Sequence, residues 1–272
     1  MKLSEYKKAL NLRLNILKIN LVNTWQIETA YFSENWGNLL STVMYTLTFV
    51  LFVNVIFANV NELAGYTKNE MLFFSMMAQL NFYLIYFWSF NNVEDMIVDV
   101  NKGNLDMVLT KPLPGLFYVS TRRLNALSIL RDSIPPLAIL ITVIDWSTLH
   151  FSAWKILAAF LIMIFGQLAM NTFLFLLALP AFKYGEATEF LGLGFPLTGN
   201  DIPYEALTKT LRVFFSTVVP AFISAGISAS VLLGKTDALT MVLFSFVVAT
   251  FAMGVKIFTW KWALKSYTSA SS

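Results

Sequence analysis

The sequence predicts an all-α integral membrane protein: six transmembrane helices, an interfacial helix before them, and a cytoplasmic helix between the second and third spans. Composition is the first observation. Of 272 residues, 57% are hydrophobic and 13% charged, and mean hydropathy is +0.65, outside the usual soluble range. The second is that apolar runs long enough to cross a bilayer recur at roughly 37–59, 70–91, 124–145, 153–182, 211–233 and 238–260. The third is a one-sided distribution of Lys and Arg, which are retained in the cytoplasm when they fall in short loops.

Several chemistries are excluded at once. Cysteine is absent and His150 is the single histidine, so disulfides, thiol nucleophiles and Cys/His metal sites are out of reach. The net charge of +3 follows from the loop bias and is not a nucleic-acid footprint. No nucleic-acid partner is expected.

Residues 1–36 precede the first span. Leu10, Leu14, Leu17, Leu21 and Trp25 recur at three and four residues beside a polar wedge of Lys8, Asn11, Asn15 and Lys18, the pattern of a helix lying in the membrane interface. Leu12, Ile16 and Ile19 fall off that stripe and can pack on the bundle instead. "MKLSEYKKAL" has neither the apolar core nor the cleavage site of a secretory signal, so insertion is expected to use the first span. "YFSENWGNLL" then brings aromatic residues to headgroup depth and forms an elbow.

The transmembrane domain is expected over 37–262, with a tail at 263–272. Lys2, Lys7, Lys8, Arg13, Lys18, Lys102, Lys111, Arg122, Arg123, Lys183, Lys209, Arg212, Lys256, Lys261 and Lys265 fall on one side, and only Lys68, Lys155 and Lys235 on the other. Both termini, the loop 92–123 and the stretch 183–212 are therefore predicted to be cytoplasmic, in a multi-pass protein of the cell (inner) membrane.

The loop 92–123 reads as folded. Asn92 can cap a helix from Val93; Val93, Ile97 and Val100 share one face, Asp95 and Asp99 another, and Gly103 supplies a stop. A second turn, "NLDMVLTK", ends at Pro112 and Pro114, and Arg122 and Arg123 mark the return to the membrane. Val93, Ile97, Val100, Met107 and Leu109 would be left facing water, so a partner surface is expected.

Within the spans, Gln79, Asn81, Tyr83 and Tyr86 interrupt the second, and Gln167 and Asn171 lie on one face of the fourth. Such groups either hydrogen-bond between helices or line a path for substrate. Arg131 and Asp132, adjacent and thus on different sides of a helix, are expected to reach separate partners or to line a hydrated break before Pro135 and Pro136. "VPAFISAGISAS" is rich in small residues, which permits close helix contact, and Pro220 can kink the span that holds it. "EFLGLGFPLTGNDIPYEAL", 189–207, is apolar but too interrupted by Gly and Pro to span, and reads as re-entrant or interfacial.

"NKGNLDMVLTKPL" resembles the I/V-x-x-G-x-L-D-x-x-L-x-x-P-L signature of ABC transporter permeases, the membrane subunits of type-2 ABC exporters. "GYTKNEM" (Gly65, Tyr66, Thr67, Glu70, Met71) and the terminal "KSYTSASS" (Lys265, Tyr267, Ser269, Ala270, Ser271, Ser272) are similar to motifs at the same relative places. One departure is that Asn101, beside Lys102, stands where the signature carries an arginine. The resemblance implies that the loop is a coupling helix seated on a separate ATP-binding subunit, where ATP and Mg would be held. Val93, Glu94, Asp95, Ile97, Asp99, Val100, Lys102, Gly103, Leu105, Asp106, Leu109 and Pro112 would form that contact, the apolar members filling pockets and the acids meeting basic groups. A second copy or a related permease would complete the path, and lipid would surround it.

No G-x-x-x-x-G-K-[ST] run occurs, so this chain supplies no Walker-type phosphate loop of its own and is not expected to be an enzyme by itself. An ion-coupled secondary transporter or channel using Arg131, Asp132 and the broken 189–203 stretch is the alternative reading, with a scaffold role behind it.

Overall fold

The computed structural model describes residues 3–30, 32–185, 187–198 and 202–267. Every named element among them is helical, and the only β-type contact is an isolated bridge between Leu63 and Tyr66. Helix α1 (Leu3–Ala30) leads into α2 (Phe32–Phe57). Gly65, at φ +80°, turns the chain, and Thr67 starts α3 (Lys68–Ile85) with a capping box completed by Glu70.

Asn92 does not cap a separate helix as expected. A π-helical turn, Tyr86–Phe90, joins α3 to α4 (Asn91–Asn101) without a break in helical conformation, so no free N–H groups await a cap. Span and loop helix form one stretch, Lys68–Asn101, of 34 residues. The Asn92 amide instead donates to the Trp88 and Arg123 carbonyls at 2.8 and 2.6 Å and accepts from Arg123 N–H at 2.9 Å. Gly103, at φ +71°, supplies the predicted stop before α5 (Leu105–Leu109).

Next come α6 (Gly115–Thr121) and α7 (Ala126–Thr142), bent by 45° at residues 122–125, then α8 (Ala153–Ala178) and α9 (Ala181–Tyr184). They are followed by α10 (Thr188–Thr198), α11 (Lys209–Thr217), a π-helical turn Ile223–Ile227, α12 (Ser228–Leu232) and α13 (Ala238–Ser266). Four stretches are long and apolar enough to cross a membrane: Glu34–Phe57, Lys68–Asn101, Ala153–Tyr184 and Ala238–Ser266. The bent pair α6 and α7 passes the same test only when its two helices are taken together, as a broken span or a re-entrant loop.

The expected span at 211–233 is not one helix. α11 ends at Thr217, the chain reverses around Pro220, and α12 returns. Pro220 has no N–H to donate to the carbonyl of Ser216, four residues back, and so cannot continue α11.

Two cores define two ends of the bundle. At the end that carries the loop 92–123, Val93, Ile97, Val100, Leu105, Phe175, Phe182 and Trp260 pack together; at the opposite end, Tyr66, Phe74, Leu140, Leu149 and Leu232 do so. Lys209 and Arg212 are grouped with the loop 92–123 by their charge, but Arg212 lies at the other end. Its guanidinium donates to the carbonyls of Leu207 and Glu205 at 2.8 and 2.5 Å, and the Glu205 carboxylate accepts from the Tyr66 hydroxyl at 2.6 Å. Leu191 packs in the core around Val93 and Glu205 reaches Tyr66, so residues 188–198 and 202–207 touch opposite ends of the bundle. Phe195 meets Phe82 at 5.4 Å between rings. The flanking Lys183, Lys209 and Arg212 put this stretch on one side in the sequence reading, whereas its described residues touch both ends of the bundle.

Small residues bring the returning leg against α8. A Cβ added at Gly166 would lie 2.4 Å from the Ser224 backbone nitrogen, a close approach open only to glycine. Lys256, counted by its charge with the cytoplasmic side, is 3% exposed within the bundle.

Candidate coupling face and cavity

Helix α4 leaves the bundle with its apolar face turned inward. Val93, Ile97 and Val100 are buried against α8 and α9, so they do not wait for a partner as the sequence reading expected. The i, i+4, i+7 stripe is satisfied within the chain. Asp99 pairs with Arg122, and Asp95 lies 3.6 and 3.4 Å from Arg122 and Arg123. The acids therefore tie α4 to the bend between α6 and α7 rather than standing free for a partner.

What α4 and α5 expose keeps Lys102, Met107 and Leu109 of the sequence reading and adds Val98 and Asn101. Val98, Asn101, Lys102, Met107 and Leu109 are exposed, Met107 at 63%, and Lys111 and Pro112 continue the patch. Leu105 is buried beneath it, with Asp106 and Gly103 partly covered. Tyr267, at the end of α13, packs edge-on to Phe182 at 6.3 Å. Its hydroxyl is held above the usual tyrosine range by burial and by the nearby Asp106 and Asp99. Ser269, Ala270, Ser271 and Ser272 of the terminal motif lie outside the described residues.

A cavity of about 660 Å³ lies among the ends of α1 and α2, the α3–α4 helix, α7 and α10. Of the expected path residues, Tyr83, Tyr86, Arg131 and Asp132 line it, and Glu94, expected to dock a partner, lines it too. Arg131 and Asp132 do not reach apart. The guanidinium grips the Asp132 carboxylate by two bonds, 2.7 and 2.8 Å, and donates to Asn35 at 2.5 Å, while Thr42 donates to Asp132 at 3.2 Å. A long, flexible arginine can fold back along its own helix, which adjacency alone concealed. Pro135 and Pro136 cannot donate to the carbonyls four residues earlier, Arg131 and Asp132, so polar backbone also gathers here.

Gln79, Asn81, Gln167 and Asn171 lie apart from this cavity. Thr46 donates to Gln79 at 2.8 Å, Gln167 to the Asn81 side chain at 2.6 Å, and Asn171 to Ser89 at 2.6 Å. They join helices through buried hydrogen bonds.

Residues missed from the sequence complete the picture. Glu28 of α1 accepts from Leu127 N–H at 2.9 Å and Ser128 Oγ at 2.5 Å, capping α7 from another helix. Asn20 donates to the Thr121 carbonyl at 3.0 Å, so α1 is stitched along the bend while Leu10, Leu14, Leu21 and Trp25 stay exposed. At the opposite end Glu205 bonds Tyr66 and Ser230, and Lys235 pairs with Glu70 at 2.7 Å and donates to the Gly65 carbonyl at 2.8 Å. This gives "GYTKNEM" a physical reason: turn, buried anchor and cap together. The isolated charges carried no periodic signal to mark them.

No curated protein and no solved structure matches the chain. The family model described as "ABC-2 family transporter protein" matches residues 42–271, from within α2 to past the end of α13. Apolar helices in number, a helical projection after the second span and this match over most of the sequence agree: the chain is a multi-pass membrane protein that belongs to the ABC-2 transporter permease family.

Proposed function

We propose that the chain is the membrane-spanning permease subunit of an ATP-driven exporter, working with a separate ABC ATP-binding subunit that holds ATP and Mg. The single observation that carries this is the continuous helix Lys68–Asn101, which runs from the opposite end of the bundle into the patch around Val98 and Met107. Motion imposed on that patch would pass to the cavity along one rigid element.

In this reading, docking falls to Val98, Asn101, Lys102, Met107, Leu109 and Pro112, with Leu105 and Gly103 shaping the turn beneath. Asp95, Asp99, Arg122 and Arg123 transmit. Two permeases, identical or related, enclose a common path; ATP-driven closure of the motor pair converts the cavity from inward- to outward-open. The coupling-loop end faces the cytoplasm of a cell membrane, as do the N-terminal region and the tail, and α1 lies in the interface. The bundle crosses six times, α10 and the residues after it making the fifth crossing in place of 211–233. α11 and α12 then form a hairpin that dips into the membrane from the outer side.

Affinity purification of the solubilised chain from its native cells tests the reading, comparing the parent with Met107→Asp and Gly103→Pro. An ATPase carrying a phosphate loop should accompany the parent and be lost from both variants. Its absence from the folded parent removes the exporter reading.

A further inference from the structure

The cavity beside Arg131 carries negative charge and hydrogen-bond acceptors that the chain does not use. Four carboxylates face it, from Glu28, Glu34, Glu94 and Asp132, against two guanidiniums, from Arg123 and Arg131. Arg131 is committed to Asp132, and Arg123 turns to Asp95. Glu28 is committed to the first turn of α7. Glu34 and Glu94 are left with no hydrogen bond or ion pair among the described residues.

A second observation is independent of the acids. Asn125 lines the same cavity, is 3% exposed, and its Oδ1 accepts no hydrogen bond. A buried acceptor without a donor is destabilising, and what it lacks is an N–H or O–H group. Aromatic rings supply the third element. Phe82 and Phe195 meet edge to face at 5.4 Å on the cavity wall, and Tyr86 stacks on Phe90 at 5.7 Å. Ring faces attract cations and accept flat apolar bodies.

We propose that this cavity binds an amphipathic organic cation bearing N–H donors, with its apolar body against Phe82, Tyr86 and Phe195 and its ammonium group between Glu94 and the Asn125 Oδ1. The inference rests on the permease reading, and names the class of cargo that the path takes.

The test is binding alone. The full chain is placed in nanodiscs of uncharged phosphatidylcholine and titrated by fluorescence with 9-aminoacridine, a flat aromatic cation with N–H donors, and with 1-anilinonaphthalene-8-sulfonate, an aromatic anion. The parent should bind the amine saturably and the sulfonate only by partition into lipid. Glu94→Gln should weaken amine binding about tenfold, and Glu34→Gln, at an exposed position, by a smaller factor; Glu62→Gln at the opposite end should leave it unchanged. Equal binding by all variants, a preference for the sulfonate, or no saturable amine binding overturns the proposal. The titration uses no ATPase, so failure here with an ATPase still co-purifying removes the cation and keeps the permease; the reverse result does the opposite.

Discussion

The Lys256 ammonium donates to Asn171 Oδ1 at 2.5 Å inside the bundle, with Ser120 Oγ at 3.0 Å as its other hydrogen-bond partner. No carboxylate pairs with it among the described residues. Asn171 in turn donates to Ser89 in the π-helical turn, which directs its oxygen toward the lysine. Four segments of the chain meet through one amine.

Removing the amide should therefore expose the amine's dependence on it. Asn171→Leu is expected to cost about 1–3 kcal/mol, the penalty of a buried polar group left short of partners. Asn171→Leu with Lys256→Met, which removes both members, should recover most of that loss. Thermal unfolding of the detergent-solubilised protein measures both, and additive losses in the double variant would show that the two side chains act independently.

Gly166 gives a sharper steric test. A Cβ there meets the Ser224 backbone at 2.4–2.6 Å, and backbone cannot move aside as a side-chain end can. Gly166→Ala should destabilise by about 3 kcal/mol, the upper end of ordinary overpacking. Gly254→Ala, where nothing lies within 4 Å, should be neutral or gain up to about 1 kcal/mol from helix propensity. Equal melting temperatures for the two variants would refute the close contact.

Much of this architecture was legible in hydropathy, because a long apolar run in a chain this poor in charge has few other uses. Runs at 37–59 and 238–260 fall in single helices for that reason, and 153–182 in one apolar stretch, Ala153–Tyr184, made of α8 and α9. The run at 211–233 did not, since averaging over a window hides one proline, and Pro220 reverses the chain. Charge counting says nothing of depth, since Lys256 finds Asn171 and Ser120 inside the bundle, and it grouped Arg212 with the loop 92–123 although its carbonyl partners lie at the opposite end. At the candidate site, Tyr83, Tyr86, Arg131 and Asp132 were read as one group with Gln79, Asn81, Gln167 and Asn171, although only the first four share the cavity. Spacing places a residue on a helix face. It does not say which neighbour that face meets, and so Glu28, Asn125 and Glu205 gave no sign.

Tyr66 connects the opposite end to pH. Its hydroxyl is held well above the ordinary tyrosine range, by burial first and then by its bond to Glu205. The folded state keeps this proton where the unfolded chain releases it, so the contribution is complete below about pH 10, the unfolded value, and is lost as pH rises beyond it. Alkaline unfolding curves should fall less steeply above about pH 10 in Tyr66→Phe than in the parent. At neutral pH the same variant should be less stable by about 1–2 kcal/mol, for the Glu205 oxygen left without its donor. Parallel alkaline curves would remove Tyr66 from the account.

Arg122 and Asp99 bear on the proposed coupling. Their ion pair, with Asp95 and Arg123 beside it and the Asn92 bridge to Arg123, fixes the projecting α4 to the 45° bend between α6 and α7. A push on α4 would thus turn α7, which carries Arg131 and Asp132 into the cavity. Arg122→Asp should lower permease-dependent stimulation of the partner ATPase by roughly fivefold or more, the low end of a typical coupling free energy, and Asp99→Arg should do the same. The exchanged pair, Asp99→Arg with Arg122→Asp, restores opposite charge at the same place and should recover a large part of the stimulation. Co-purification of the ATPase serves as the control, because these residues lie behind the exposed patch and binding should survive in all three. Recovery of stimulation in the exchanged pair separates a mechanical tie from simple damage. Loss of ATPase binding in the single variants would instead move these residues into the docking surface itself.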